Sequence, residues 1–398
     1  MTARDTPQVQ PLTVLIAQHS LTTPMGSELY TSDLALELLR QGHRPVVFTT
    51  APGQISIQLH QRGVMVINAL QDLLVTPDVV HGNHPFETLV ALARFPEVPA
   101  VFVCHNWETW LAEPPLHSGV RRYVGVDNAC LHRLRFVSAL PVAQTLLVQN
   151  GVDLARFRRR APLPHLPRKA LVFSNGATDD NYLPQIREAC QARGITLEVV
   201  GLGVGAPSSA PEDLLGDYDL VFAKSRAALE ALAVGCAVVL CDQVGLGSLV
   251  TAEEYDGQRA DNLGRRRLTR DVTVGAVLAE LDRYDAKDSA AVCDRVRATA
   301  GLDGIVEQLV QVYREAIADR VPDARPQPDW WVGQLEMAAR ALFDRDDARL
   351  HAANLEREVH GLRHQVAAAE AEFAKAQEWA LSLDAARTDL EQPALPDP

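Results

Sequence analysis

Two groups of residues in this chain carry side chains suited to polar chemistry, and both stand directly behind short apolar runs. In the first group, Val79-Val80 leads into His81-Gly82-Asn83-His84, and the run Val101 to Cys104 leads into His105-Asn106-Trp107-Glu108. An imidazole exchanges a proton near neutral pH, so His81, His84 and His105 are candidates for polar contacts or proton acceptors, with Asn106 beside them. A histidine closing a strand is also often a hydrogen-bonded structural residue, and both readings stay open. The second group is cationic: Lys224, Ser225 and Arg226 begin an Ala- and Leu-rich helix that carries Glu230. The free N–H groups and positive dipole end of such a helix can hold a diphosphate, and Lys224 and Arg226 could neutralise charge growing on a departing one. An ordinary exposed basic pair is the competing reading.

Smaller signals surround these. Gly26-Ser27 lies between an apolar run and a helix start, where it could admit a phosphate or an acceptor, or form a simple turn. Gly245-Leu246-Gly247-Ser248 reads as a small-residue loop whose backbone N–H groups could approach a ligand, or as a plain tight turn. The spacings of His81, His84, His105 and Glu108 do not put three ligands on one helix face, so no metal is expected. Asp217-Tyr218-Asp219 reads as a strand boundary, and Arg265-Arg266-Arg267 as a solvated face with a lesser chance of phosphate contact.

The elements that must position these residues alternate between strand and helix. Leu12 to Ala17, a helix from Glu28 to Gln41 and Val46 to Thr49 make a strand-helix-strand unit. Val64 to Ile67, Val79 to His81, the helix Pro85 to Arg94 and Ala100 to Cys104 continue it. A second series follows the Pro- and Arg-rich stretch 156–168: Ala170 to Ser174, the helix Tyr182 to Arg193, Thr196 to Gly201, Asp219 to Ala223, the helix Arg226 to Val234 and Ala237 to Cys241. Short, wholly apolar strands separated by helices imply parallel sheets buried on both faces. The expected organisation is an α/β domain over 1–155, a second over 156–321, and a helical tail over 322–398. In the tail, Leu355, Val359, Leu362, Val366, Ala369 and Phe373 alternate spacings of four and three, the seam of a short coiled coil or one face of an amphipathic helix. The last residues, 391–398, are expected to be disordered.

A length of 398 residues with 47% hydrophobic content favours two or three cores, while a formal net charge of −13 argues against general nucleic-acid binding. The six cysteines show no C-x-x-C pair, so neither disulfides nor a zinc site is expected. With no apolar run near the roughly 20 residues of a membrane span, and no secretory layout at the start, a cytoplasmic location is the expectation.

With these motifs in order, the chain resembles the retaining, GT-B-type glycosyltransferases of the broad family-four group. Gln149-Asn150-Gly151-Val152-Asp153-Leu154-Ala155-Arg156-Phe157 looks like the segment that opens the family's second domain, and Ala228 to Val239 is similar to its nucleotide-holding helix, Gly turn and strand. Gly26 to Thr50 is similar to the family's first glycine loop. The resemblance implies a GT-B architecture of two Rossmann-like domains facing a central cleft, with Asn150 near that cleft. It also implies that Glu230 meets the nucleotide ribose, that His105 lies near the reacting sugar, and that the loop beginning Asn175-Gly176 sits at the diphosphate. Two departures accompany it. Phe222 stands eight residues before Glu230, where the family places a glutamate against the donor sugar, and the Asn175-Gly176 loop lacks the usual basic residue. The implied activity is transfer of a hexose from a nucleoside-diphosphate sugar, as co-substrate without further cofactor, to a hydroxyl of a glycan or lipid-linked acceptor. Peripheral membrane contact and self-association through the tail helices are further expectations. A catalytically inactive binding or assembly protein of the same fold, or a sugar-nucleotide epimerase, are the alternatives.

Overall fold

Thr13 to Ala17 are all buried, and five consecutive buried residues require a strand paired on both edges and covered on both faces. In the computed structural model, which describes residues 10–208, 210–320, 335–336, 338–340 and 342–355, that strand is the centre of the first of two sheets. The first half of the chain supplies β1 (Thr13–Ala17), α1 (Gly26–Arg40), β2 (Arg44–Phe48), α2 (Gln54–Gln61), β3 (Met65–Ile67), β4 (Val79–Gly82), α3 (Pro85–Arg94), β5 (Ala100–Cys104), β6 (Val120–Gly125), α4 (Asn128–His132) and β7 (Thr145–Leu147). All seven strands are parallel, in the order β3-β2-β1-β4-β5-β6-β7.

The second half supplies β8 (Lys169–Phe173), α5 (Leu183–Ala192), β9 (Thr196–Val200), α6 (Pro211–Leu214), β10 (Leu220–Ala223), α7 (Ser225–Val234), β11 (Ala237–Asp242), β12 (Gly245–Leu249), α8 (Tyr255–Ala260), α9 (Val274–Leu281), α10 (Ala286–Thr299) and α11 (Leu302–Ala318). Its five strands run β12-β11-β10-β8-β9, parallel except for β12. Alternation along β10 sends Val221 and Ala223 into the core on one face, and Leu220 and Phe222 into the core on the other. Gly235, at φ 103°, ends α7 in the left-handed conformation that stops helices before a following strand.

α11 belongs to the second half by sequence, yet it packs on the first sheet. Its Ile305, Val306, Leu309, Val310, Val312, Tyr313 and Ala316 repeat at helical spacing and join the core of β1, β4, β5 and β6. Each such aliphatic side chain contributes about 1.5–3 kcal/mol when fully withdrawn from water. Conversely, Val152 and Phe157, near the expected boundary, lie in the second core. The chain therefore crosses between the sheets twice, and the crossings pair: the Val152 N–H donates to the Ala300 carbonyl at 2.9 Å, and the Leu302 N–H to the Val152 carbonyl at 2.9 Å.

The described residues fall into two compact units that part after Ala339. Within the second, residues 342–355 are helical. The heptad seam from Val359 to Phe373 and the expected disorder of 391–398 lie outside the described residues. Among the described residues no helix is long and apolar enough to cross a membrane. The six cysteines are buried and free of disulfides.

A Cβ built on Gly151 would stand 2.9 Å from Leu302 Cα and 3.2 Å from Ile305 Cγ1. Gly151→Ala is therefore expected to lower the unfolding free energy by about 1–3 kcal/mol, measured by urea denaturation. Unchanged stability would mean that the paired crossings separate without cost.

Candidate functional site

In an open parallel sheet, a crevice forms where neighbouring strands send their connections in opposite directions. In the first sheet that point lies between β1 and β4, so the start of α1 and the residues after β4 border it. In the second it lies between β8 and β10, bordered by the Asn175-Gly176 loop and the start of α7. One cavity of about 360 Å³ joins the two halves. Its walls hold Gly26, Ser27, Tyr30 and Asp33 of α1, the strand-end residues Asn83, His84, His105 and Asn106, and Asn150 and Gly151 of the crossing. Ser225, Arg226 and Leu229 of α7, Asn262, and apolar residues of α11 complete it.

Around Asn83 the first-domain wall is an uncharged hydrogen-bond network. Asn83 Oδ1 lies 3.0 Å from His81 Nε2 and 2.9 Å from His105 Nε2, while Asn83 Nδ2 donates to Gln18 Oε1 at 3.1 Å and Thr31 Oγ1 at 2.9 Å. His81 Nδ1 meets the Tyr313 hydroxyl of α11 at 2.7 Å. Tyr30 packs edge-on to His105, with ring centroids 4.3 Å apart. Burial disfavours the imidazolium forms: it pulls His81 down to about 4, and burial together with His81 pulls His105 down to about 3. Burial likewise depresses His84 well below the usual histidine value.

The second-domain wall is charged and already compensated. Arg226 pairs with Asp33 of α1 at 2.6 Å and with Glu230 one turn along α7 at 2.7 Å, so this guanidinium ties the two domains together across the cleft. Burial opposes its charge, but Glu230 and Asp33 outweigh burial and hold it more firmly protonated. Burial raises Glu230 above the ordinary carboxylate range, and Arg226 acts against that. Lys224 pairs with the buried Asp242 at the end of β11. The exposed-basic-pair reading of Lys224 and Arg226 therefore gives way to three specific ion pairs, and Glu230 faces Arg226 rather than solvent. α7 also begins under backbone strain: Ser225, Asn262 and Leu263 have φ of 49°, 57° and 51°, and the Ser225 N–H donates to the Leu263 carbonyl at 2.9 Å. Left-handed non-glycine residues persist where surrounding structure enforces them, often at ligand sites.

Several expected site residues lie outside the cavity or have their polar groups engaged within the chain. His81 is fully buried behind the cleft wall. Ser27 lines the cavity, but its hydroxyl donates to Glu28 at 2.9 Å. The Asn106 side chain caps its own turn, accepting from the Glu108 N–H at 2.7 Å. Asn175 accepts from the Leu202 N–H at 3.1 Å, and Gly176 lies against Asp242 and Gln243. Gly245, Gly247 and Ser248 form the antiparallel strand β12, not a loop, and a Cβ on Gly247 would come within 2.9 Å of the Arg267 carbonyl oxygen. Their small size serves close backbone packing. Phe222 does not replace a cleft residue: only Lys224 separates β10 from α7, so the position eight residues before Glu230 falls inside a buried strand. Asp219 pairs with Arg160 at 2.9 Å and caps the Arg168 N–H at 2.8 Å. Among the described residues no group of three or more His, Cys, Asp or Glu side chains could hold a metal ion.

Sequence reasoning missed Tyr30, Asp33, Asn262 and the α11 residues. Asp33 had a usable signal, since it is an acid on the helix that starts at Gly26. The contribution of α11 had none, because its register against the first sheet is a tertiary fact.

Residues 24–156 match the model of the family described as Glycosyltransferase Family 4. No curated protein matches the chain. Solved structures of similar fold include a glycosyltransferase from Rickettsia africae ESF-5, with 13% identity, 78% of this chain and 99% of that chain covered, and a TM-score of 0.54. They also include Anabaena Alr3699/HepE in complex with UDP (14% identity, 77% and 100% covered, TM-score 0.56) and with UDP-glucose (14%, 76% and 100%, TM-score 0.57). The chain has the GT-B fold, and its first domain carries the family-four resemblance.

Two outcomes follow from the site's physics. Phe222→Glu, which would restore the family's residue by position, is expected to cost at least about 3 kcal/mol of stability and to gain no ligand binding, because it places a carboxylate inside a core. Near-native stability by chemical denaturation would show that the side chain reaches the cleft. For pH, His81 and His105 have folded values of about 4 and about 3 against 6.5 in the unfolded chain. Their contribution to stability is complete above about pH 6.5 and is lost as pH falls toward the folded values, because the unfolded chain binds the protons first. Urea unfolding followed from pH 7 to 4 should show this decline. A flat profile would mean that the rings take up protons in place.

Proposed function

We propose that this GT-B chain is a glycosyltransferase that moves a hexose from a nucleoside-diphosphate sugar to a hydroxyl acceptor, with retention at the anomeric carbon. The observation that carries the proposal is the single cavity shared by both domains. It has the α7 N-terminus and Arg226 on one side and an uncharged, hydrogen-bonding histidine wall on the other. The first-turn N–H groups of α7 and its dipole favour a diphosphate, and Arg226 adds a cation that can exchange Asp33 for phosphate oxygens. That exchange makes donor binding and the Asp33 bridge compete for one guanidinium. Lys224, held by Asp242, stands at the same helix end and strengthens the field on the departing phosphate.

Of the two parts that the sequence leaves open for His105, polar contact and proton acceptor, this reading takes the first. An imidazole that protonates only near pH 3 is a weak base, so its service to a reacting hydroxyl is to accept a hydrogen bond and orient it. The acceptor, a glycan or lipid-linked glycan precursor, would enter beside the first domain. No cofactor beyond the nucleotide sugar is required. A cytoplasmic setting, peripheral membrane contact and association through the tail helices complete the proposal. A non-catalytic binding protein of the same fold is the second reading, favoured by Lys224 and Arg226 each being paired with carboxylates of the chain itself.

Calorimetry with UDP, GDP, ADP and dTDP is the direct test. One of them is expected to bind, and Arg226→Ala to weaken it by about 10- to 100-fold, the usual worth of a charge-assisted contact. If the wild-type chain binds none of the four, the transferase reading ends. If it binds but neither transfers nor hydrolyses the matching sugar nucleotide, the binding-protein reading replaces it.

A further inference from the structure

Hydrogen-bond accounting in the first-domain wall starts from an atom whose role is fixed, the Ser20 carbonyl oxygen, which can only accept. Gln18 Nε2 donates to it at 3.0 Å, so Gln18 Oε1 must be the acceptor of its amide, and it receives Asn83 Nδ2 at 3.1 Å and the Thr31 hydroxyl at 2.9 Å. With Nδ2 so assigned, Asn83 Oδ1 accepts from both histidines that touch it, and His81 and His105 each carry their proton on Nε2. His81 then uses the lone pair of Nδ1 to accept from the Tyr313 hydroxyl. His105 Nδ1 keeps its lone pair, with no hydrogen-bond partner among the described residues. His84 has the same tautomer but leaves the other nitrogen over: its Nδ1 accepts from the backbone N–H of His19 at 3.1 Å, so its proton sits on Nε2, which has no partner among the described residues. Both rings line the cavity.

We propose that His105 Nδ1, as acceptor, and His84 Nε2–H, as donor, form a neutral clamp for sugar hydroxyls, and that Asn83 is the positioning residue that sets the His105 half. The clamp rests on the reading of this cavity as a sugar site, and it specifies the ligand chemistry there. A hydroxyl both donates and accepts, so one hydroxyl, or two neighbouring ones, satisfies both nitrogens. A phosphate or carboxylate leaves the His105 lone pair facing another lone pair, and an ammonium leaves the His84 N–H facing a proton. The edge-on Tyr30 ring at 4.3 Å opposes a flip of His105. The sugar could be the donor's hexose or that of the acceptor, since both carry the same hydroxyl chemistry.

The test uses the full chain labelled with nitrogen-15, in which long-range histidine spectra report the tautomer of each ring. Protons on Nε2 of His81, His84 and His105 are expected. A His105 protonated on Nδ1 overturns the proposal. UDP-glucose added to one sample, and glucose added to a UDP-saturated one, separate the donor's sugar from an acceptor sugar. The His84 and His105 signals should move together with one of them and not with UDP alone, and failure of both sugars to move them is the second overturning result. In the arm that responds, His105→Gln keeps reach to Asn83 but removes the cleft acceptor, and His84→Asn keeps the contact to His19 but removes the cleft donor. Each should weaken the sugar-bearing ligand by about tenfold while leaving UDP affinity unchanged, the scale of one hydrogen bond. Equal loss for UDP would assign these rings to structure. Asn83→Leu should let His105 populate both tautomers, and His105→Asn, with an acceptor near the place of Nδ1, should recover part of the sugar affinity. A chain that prefers another base takes that base's diphosphate and sugar nucleotide through the same two arms, and one that binds none of UDP, GDP, ADP and dTDP removes the transferase reading instead, the tautomers alone then deciding the clamp.

Discussion

Two backbone hydrogen bonds at the paired crossings hold the geometry on which the rest of the molecule depends. Val152 bonds to Ala300 and Leu302 bonds back to Val152, each at 2.9 Å, with Gly151 lying against the Leu302 backbone. Because α11 then continues onto the first sheet, the two crossings fix where the carboxyl edges of the two sheets stand with respect to the cavity they share. The surrounding polar groups reinforce the junction: Gln149 Nε2 donates to the Arg259 carbonyl at 2.7 Å, and the Arg259 guanidinium donates to the Asn150 carbonyl. The two main-chain bonds immobilise no long side chain, so the rotamer entropy that this junction costs falls on the Gln149 and Arg259 side chains.

The cavity built on that junction has two walls of different electrical character. On the first-domain side, burial keeps the histidines neutral, and a chain of amides and hydroxyls fixes their protons. On the second-domain side, charges are retained because each has a partner, and Asp33 carries the first domain's only ionic hold on Arg226 among the described residues. Removing water from a charge is costly unless an opposite charge or several donors replace it. Under the proposed function, a neutral sugar meets the neutral wall and an anionic diphosphate meets the cationic one. The Asp33 bridge then makes the cleft self-compensated, so that a diphosphate must offer Arg226 better contacts than Asp33 does.

Much of the frame was legible in the chain. Pro85–Arg94 and Ala100–Cys104 are found at their expected bounds, and most other expected strands and helices agree within two residues, because apolar runs and helical spacing report burial locally. β12 was not legible, since Gly245-Leu246-Gly247-Ser248 has the composition of a turn and becomes a strand only by pairing with β11. β6 was not legible because Arg121 and Arg122 interrupt its apolar pattern, although Arg122 is held at 2.6 Å by Asp319, the residue following α11, and β7 is only three residues long, Thr145–Leu147.

The sequence by itself determined the alternation of strand and helix, the existence of two sheets, the crossing segment at Gln149 to Phe157 and the grouping of histidines at two strand ends. Only the tertiary structure decided that His84 and His105 share a cavity while His81 stands behind it, that Arg226 answers to Asp33, and that Phe222 lies in a core. The division has one physical cause. Hydrophobic burial follows from spacing along a single element, whereas the role of a polar side chain depends on which distant group it meets, and that meeting is set by how the two crossings bring the elements together.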